Sequence, residues 1–228
     1  SLWMTGNHDL SLGLSVDIFN RLLGEAWRGG TLDLDVAELI GDDDAITVAF
    51  LVGPTGPALR ESFPLTAEVK MTTHAPMQAV TVISDPSAGQ LRISFGALQV
   101  TMASENSEGE LQTWATVEVS LDFTVQPRFA DGGFFIESNL ETRVELVESP
   151  LFEINENSFE RFLETTLGGI AGVALDEFVG SVLSLSDLNI LGLGVESVTY
   201  GAPGAGPGVL VLGIELGIDA SNPRWPEL

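Results

Sequence analysis

Hydrophobic and polar positions change their spacing twice near the start of the chain. Residues 10–15 alternate leucine with small or polar residues, which is typical of a half-buried strand. Over 16–27 the apolar residues recur at helical spacing instead, and alternation returns over 32–36 after a pair of glycines. The pattern therefore predicts a short helix between two strands, strongly apolar on one face.

The middle of the chain predicts a series of strands. The clearest alternation is in 115–126, where apolar residues occupy the odd positions and polar residues the even ones. In 91–102 the parity of the apolar positions reverses at Gly96–Ala97, which predicts a β-bulge. Further elements complete this region: strands over 45–53, 65–72, 78–83 and 134–147, and a loop with one short helix over 53–64.

The last third of the chain predicts a long helix and two closing strands. Apolar residues at helical spacing extend over 157–182, and Asn157 with Glu160 forms a candidate capping box at the start. Strands over 188–200 and 209–218 follow, joined by a loop rich in glycine and proline. Because no linker or tandem repeat divides the chain, we expect one α+β domain with a core of about residues 10–219.

Composition adds an apolar interior and an anionic surface. Hydrophobic residues make up 44% of the 228 residues, and 33 Asp and Glu against 9 Lys and Arg give a formal net charge of -24. Such a surface repels nucleic acid, which is excluded as a partner. No apolar run reaches the ~18 residues that a membrane span requires. Without cysteine the chain has no disulfide or thiolate chemistry.

The sequence contains no pattern that predicts catalysis or a metal site. His8 and His74 are the only histidines, and neither lies in a metal-binding spacing. Three aspartates at 42–44 lack the glycine and terminal glutamate of a calcium loop, and 201–208 lacks the lysine of a phosphate-binding loop. The nucleophile motif G-x-S-x-G is absent. We therefore expect a protein that is not an enzyme and holds no metal.

The order of the elements, with the residues that begin them, resembles a known family. The segment LGLSVDIFNRLLGEAWRGGTLDLDV is similar to the start of the second, C-terminal barrel of the bactericidal/permeability-increasing protein family, in the tubular lipid-binding (TULIP) superfamily. Gly13–Leu14, Ser15, Phe19–Asn20 and Gly30 occupy positions of that pattern. The segments ALRESFPLTAEVKMTTHAPMQ and LSLSDLNILGLGVESVTYGAPGAGPGVLVLGIEL are similar to later parts of it, so the resemblance covers about residues 10–219.

The resemblance implies a highly curved antiparallel sheet wrapped around a long helix and a shorter N-terminal helix, with an apolar tube inside. It implies a non-enzymatic, extracytoplasmic domain that binds or transfers lipid and shelters the acyl chains of a phospholipid or other hydrophobic ligand. A bound lipid or fatty acid is then the expected small molecule. The residues expected to line the tube are Ile18, Leu22, Val69, Val117, Val119, Leu121, Phe123, Val144, Phe162, Leu163, Leu167, Ile170, Phe178, Leu212 and Ile214.

Two features of the chain depart from this family. The lipopolysaccharide binders in it carry basic surfaces, whereas this chain has only 9 Lys and Arg, which argues against lipopolysaccharide binding by cationic tips. The familiar members also have two barrels, whereas the elements of this sequence predict only one. Candidate partners are therefore a second barrel of the same kind, a second copy of the chain, and a membrane in transient contact. The alternative function is an interaction module of the same fold with a filled interior, as part of a larger assembly.

Overall fold

The computed structural model describes residues 9–30, 33, 35, 46–130, 133–182, 193–200 and 208–218. The helices in this part of the chain are α1 (Val16–Arg28), α2 (Val48–Thr55), α3 (Pro57–Ser62) and α4 (Glu156–Val182). The strands are β1 (Leu10–Ser15), β2 (Val69–His74), β3 (Val80–Asp85), β4 (Gln90–Glu105), β5 (Leu111–Ala130), β6 (Gly133–Glu148), β7 (Leu193–Tyr200) and β8 (Val209–Ile218). The predicted α+β class is confirmed.

The strands form two antiparallel sheets. The smaller sheet has the order β1-β8-β7, and the larger has the order β2-β4-β5-β6. Strand β3 pairs with the opposite end of β4 from β2, so β2 and β3 occupy the same side of that long strand. Within the described residues neither sheet closes or curls strongly. The expected single, highly curved sheet wrapped around the long helix is therefore wrong for this part of the chain.

Helix α4 lies beside the last strand of the larger sheet because its glutamates bind the strand edge. The Leu146 N–H donates to Glu160 Oε1 at 2.8 Å, and the Val144 N–H donates to Glu164 Oε1 at 3.3 Å. Two residues of a strand span ~6.6–6.8 Å and four residues of a helix ~6 Å, so the two spacings match. These carboxylates occupy edge donors that would otherwise be open to pairing. The helix thus extends along the sheet and is not enclosed by it.

The start of α4 differs from the predicted capping box. The Ser158 N–H donates to Asn155 Oδ1 at 3.3 Å, which makes Asn155 the capping residue. The predicted partner Glu160 is engaged with Leu146 on β6 instead. The prediction of Asn157 with Glu160 is wrong because a tertiary contact takes the glutamate.

The alternation predicted for β5 is confirmed. Every odd position from Ala115 to Val125 is buried, and the even positions between them are half-buried. The apolar side of β5 defines the inner face of the larger sheet, on which α1 and α4 pack.

The predicted bulge in β4 is also confirmed. The register with β5 shifts between Phe95 and Leu98, and Ala97 between them has a φ of 55°. Phe95 pairs with Leu121 and Leu98 pairs with Val119, which are both inner-face residues of β5. The bulge therefore keeps the inner face apolar on both sides of the parity reversal.

The strand predicted over 45–53 is wrong, because Val48–Thr55 forms helix α2. Its buried residues Val48, Leu51 and Thr55 recur at helical spacing, and the Thr55 hydroxyl donates to the Leu51 carbonyl oxygen at 2.6 Å. A short, uniformly apolar run is compatible with a buried strand or a buried helix, so its period did not decide between them.

For the other predicted elements, the structure differs mainly in where they begin, or describes only part of them. The short helix within 53–64 is confirmed as α3, whereas the strand predicted over 65–72 begins only at Val69. Of the strand predicted over 32–36, only 33 and 35 are described, and Asp35 forms a single bridge with Thr72. The first part of the strand predicted over 188–200 lies outside the described residues.

Candidate functional site

Helix α1 lies along the edge of β3 that is not paired with β4, and side-chain hydrogen bonds hold it there. Asn20 Nδ2 donates to the Thr81 carbonyl oxygen at 3.1 Å, and the Thr81 N–H donates to Asn20 Oδ1 at 2.6 Å. At the C-terminal end of the helix, Trp27 Nε1 donates to the Ala75 carbonyl oxygen at 2.8 Å. The Asn20 amide thus pairs with Thr81 as a neighbouring strand would, which fixes the helix against the sheet.

The face of α1 that contacts the sheet is not the face expected from the sequence. Val16 and Gly24 are buried, and Leu23 packs against the apolar inner face. Ile18 and Leu22, which we expected to face the sheet, are 58% and 59% exposed. The polar Asn20 lies on the contact face because its amide satisfies the edge backbone of β3.

The exposed pair still points to a defined side of the helix. At about 100° per residue, Ile18 and Leu22 follow Leu23 around α1 on the side remote from Asn20. Asn20 marks the outer edge of β3, whereas Leu23 marks the interior side because it packs in the same cluster as Phe123. Ile18 and Leu22 therefore lie on the face of α1 opposite the one that contacts the sheet, where both are more than half exposed.

That inner surface is closely packed at its two ends and less so between them. At one end Trp114 and Leu163 are fully buried in a cluster that includes residues of α2, α3 and α4. At the other end Phe123 is buried with Ala79, directly before β3, and with Ile93 of β4, beneath α1. Phe95 and Leu140 contact both clusters and are only half-buried. The region between the helices is thus apolar but incompletely covered.

The residues predicted to line a tube fall into distinct groups. The buried ones are Val69, Val117, Val119, Leu121, Phe123, Val144, Leu163, Leu212 and Ile214. Phe162 and Leu167 are half-buried, and Ile18 and Leu22 are exposed. Ile170 and Phe178 lie in α4, but their side chains are outside the described part of the chain. Contact of any of these residues with lipid stays a prediction.

The structure brings only some of these residues together. One cluster beneath α4 contains Val69, Val117, Val119, Leu121, Val144 and Leu163, with Phe162 and Leu167 at its margin. Phe123 lies in the second cluster, beneath α1. Leu212 and Ile214 belong to β8 in the smaller sheet.

Sequence reasoning did not assign Phe95, Leu98, Leu140 or Asn20 to the site. A signal existed for the first two, since the parity reversal at Gly96–Ala97 places them on one face if it is interpreted as a bulge. Asn20 interrupts the apolar face of α1, and an amide at such a position indicates a backbone group that it must satisfy.

The outer face of the larger sheet is acidic. The strand register places Glu118 opposite Glu145 and Asp122 opposite Glu141. Arg92 Nε lies 3.2 Å from Asp122 Oδ1 and offsets part of this charge. Like charges in facing positions weaken strand pairing, so the backbone ladder and the apolar contacts of the inner face must offset this repulsion between β5 and β6.

Two further groups of titratable side chains lie in a turn and on the surface. The Ser87 hydroxyl and the N–H groups of Ala88 and Ser87 donate to Asp85 and lower the pKa of its carboxyl. His74 Nδ1 lies 3.1 Å from Asp33 Oδ1 on the surface. Among the described residues no three His, Cys, Asp or Glu side chains are grouped as metal ligands. His8, the aspartates at 42–44 and the loop 201–207 lie outside the described residues.

None of the helices in the described part of the chain has the length and apolar character needed to cross a membrane.

Comparison with known proteins finds a similar fold among solved structures. No protein-family model matches the sequence, and no curated protein matches it. The crystal structure of a lipopolysaccharide binding protein is similar over 92% of this chain, with a TM-score of 0.51 and 13% sequence identity. The chain spans 41% of the length of that protein. At this identity the likeness shows a shared fold, and the resemblance found in the sequence is confirmed at that level.

Proposed function

We propose that this protein binds a lipid and shelters its acyl chain between α1 and α4, against the inner face of the larger sheet. The observation that supports this most is the incomplete covering of Phe95 and Leu140 on the inner face between the two buried clusters, together with the exposure of Ile18 and Leu22 on α1, 58% and 59%. Apolar side chains that the protein itself leaves incompletely covered are typical of a surface that a hydrophobic ligand covers. The fold shared with a lipopolysaccharide binding protein adds support.

The free energy of burying an acyl chain in such a site favours exchange of the lipid between protein and membrane. Each methylene group moved out of water contributes ~0.8 kcal/mol, so a sixteen-carbon chain gains about 13 kcal/mol in gross terms. A bilayer offers the same chain an equally apolar environment, so transfer between protein and membrane is close to balance. A site that is open along one side of a helix favours such exchange over permanent retention.

The wider proposal follows the sequence resemblance. We place the chain as one domain of the bactericidal/permeability-increasing protein type, non-enzymatic and extracytoplasmic, with a phospholipid or other hydrophobic molecule as ligand. Its proposed partners are a membrane in transient contact and either a second barrel of the same kind or a second copy of the chain.

Uptake of a neutral apolar probe tests the binding proposal. Delipidated protein is titrated with 1,6-diphenylhexatriene, which fluoresces strongly only in apolar surroundings. We expect saturable uptake of about one probe per chain, since a pocket of this kind holds a single extended ligand. An absence of saturable uptake by folded protein would contradict the proposal and favour the interaction module with a filled interior.

A further inference from the structure

Most edge strands in the described part of the chain are protected against pairing with another chain. Two glutamates of α4 take the edge N–H groups of β6, and Asn20 pairs with the edge backbone of β3. Strand β2 and the residue before it form single bridges with Asp35 and Thr47. The register of β7 with β8 shifts at Glu196, so that edge carries a bulge with an acidic residue.

Strand β1 has none of these protections. It contains no charged residue and no proline, and its register with β8 continues without a shift from Leu10 to Ser15. Within the described strands it pairs on one side only, with β8. A regular, uncharged edge is one that a further strand can join without repulsion between side chains. Such an edge is notable in a chain with a net charge of -24.

The hydrogen-bond pattern shows which residues of β1 face this edge. The N–H of Val16, directly after the strand, donates to the Gly208 carbonyl oxygen at 2.9 Å, and this pair continues the register of β1 with β8. Hydrogen-bonded pairs recur at every second residue of an antiparallel ladder, so the backbone groups of Ser11, Gly13 and Ser15 point away from β8. Gly13 is exposed, and because it has no side chain this exposure belongs to its backbone.

We infer that β1 pairs with β1 of a second copy of the chain, antiparallel and with Gly13 on the two-fold axis, so that two three-stranded sheets become one continuous sheet. A two-fold interface places a surface against itself, which antiparallel pairing of identical strands satisfies. In this register Ser11 lies opposite Ser15 of the second copy, and the outward N–H and carbonyl groups of both strands find partners. The inference assigns a surface to the second copy proposed above as a partner, and it does not depend on the lipid site.

The charge of the chain limits where two copies can meet. Two molecules of charge -24 repel each other at long range, but the uncharged β1 adds no repulsion at contact. A two-fold contact through the outer face of the larger sheet would instead bring its carboxylates together. Because the ladder is short, we expect a weak dimer, with a dissociation constant of about 1–100 μM. Added salt should strengthen it by screening the repulsion.

Sedimentation velocity of the whole chain over a range of concentrations tests for this dimer. We expect a reversible equilibrium whose dissociation constant is lower in about 0.5 M NaCl than in about 0.1 M NaCl. Gly13→Pro removes the central N–H at the edge and leaves the hydrogen bonds to β8 in place, so it should raise the dissociation constant at least about tenfold. Circular dichroism checks that this variant remains folded.

Single cysteines test the register and do not depend on the proline variant. The chain has no cysteine, so Gly13→Cys places one thiol of each copy beside the axis. The Cα atoms of a hydrogen-bonded pair are about 5.5 Å apart, which a disulfide can span. The matched control is Ser11→Cys on the same strand, since its equivalent in the second copy lies four residues along the ladder, ~13 Å away and out of reach. Mild oxidation should cross-link Gly13→Cys several times faster than Ser11→Cys.

The outcomes separate this inference from the proposed function. A dimer that salt strengthens and that Gly13→Cys traps selectively supports the pairing of β1. A chain that stays monomeric at both salt concentrations overturns it. So does a dimer in which both cysteine variants cross-link equally, because the copies then meet through another surface. Uptake of diphenylhexatriene is measured on the same samples and reports on the lipid site alone, so either proposal can fail without the other.

Discussion

Replacing Trp114 with alanine is expected to lower the free energy of unfolding by about 3–5 kcal/mol. Trp114 is 0% exposed, with its ring centroid 6.3 Å from that of Phe152 and 6.0 Å from that of Phe159. Its Nε1 donates to Ser104 Oγ, 3.2 Å away and also buried. The substitution therefore leaves a large cavity and a buried hydroxyl without its partner. Urea unfolding followed by circular dichroism measures the change.

The control for this prediction is Trp114→Phe, which keeps an aromatic ring between Phe152 and Phe159 and removes the indole N–H. It should cost clearly less than the alanine variant, because most of the volume remains filled. A loss below about 1 kcal/mol for Trp114→Ala would contradict the packing described for this end of the sheet.

The double substitution Ile18→Gln and Leu22→Gln is expected to reduce uptake of diphenylhexatriene at least tenfold while changing the free energy of unfolding by less than about 0.5 kcal/mol. Both side chains are more than half exposed, so the folded protein loses little packing when they become polar. A bound ligand would lose its apolar contact with both. Probe titration and urea unfolding of the same preparation give the two quantities.

The matched control is Val80→Gln with Val82→Gln. These valines are 46% and 44% exposed on β3, and they alternate with the buried Thr81, so they lie on the outer face of the sheet. The control makes the same chemical change on the opposite side of the sheet and should leave uptake unchanged. Equal loss of uptake in both double variants would show that the probe binds apolar surface without selectivity.

Most strands of the larger sheet could be predicted, because a strand with one buried face shows a local alternation of apolar and polar residues. Alternation in 115–125 needs one buried face and nothing else, and β5 has it. The reversal at Gly96–Ala97 likewise indicated a bulge, and the positive φ of Ala97 lies there. The division of the described strands into two sheets could not be predicted, since it depends on which strands pair across the chain and on the glutamates of α4 that bind the edge of β6.

The orientation of α1 shows why the site was harder to predict than the strands. From hydrophobicity alone, Ile18 and Leu22 belong on the face that contacts the sheet. The helix is instead rotated so that Asn20 meets the backbone of Thr81, because an edge strand requires a hydrogen-bonding partner and an amide supplies one. Helix α2 shows a similar limit, since the short apolar run at its start has no period that separates strand from helix.

Retained lipid tests the central claim most directly. The protein is purified without detergent from a lipid-rich host, and native mass spectrometry of the whole chain is followed by organic extraction and mass spectrometry of the extract. The account predicts a bound species with an acyl chain at about one per protein, strongly reduced in the variant with Ile18→Gln and Leu22→Gln. Wild-type protein that carries no more lipid than this variant, and that cannot be loaded by incubation with vesicles, would contradict it.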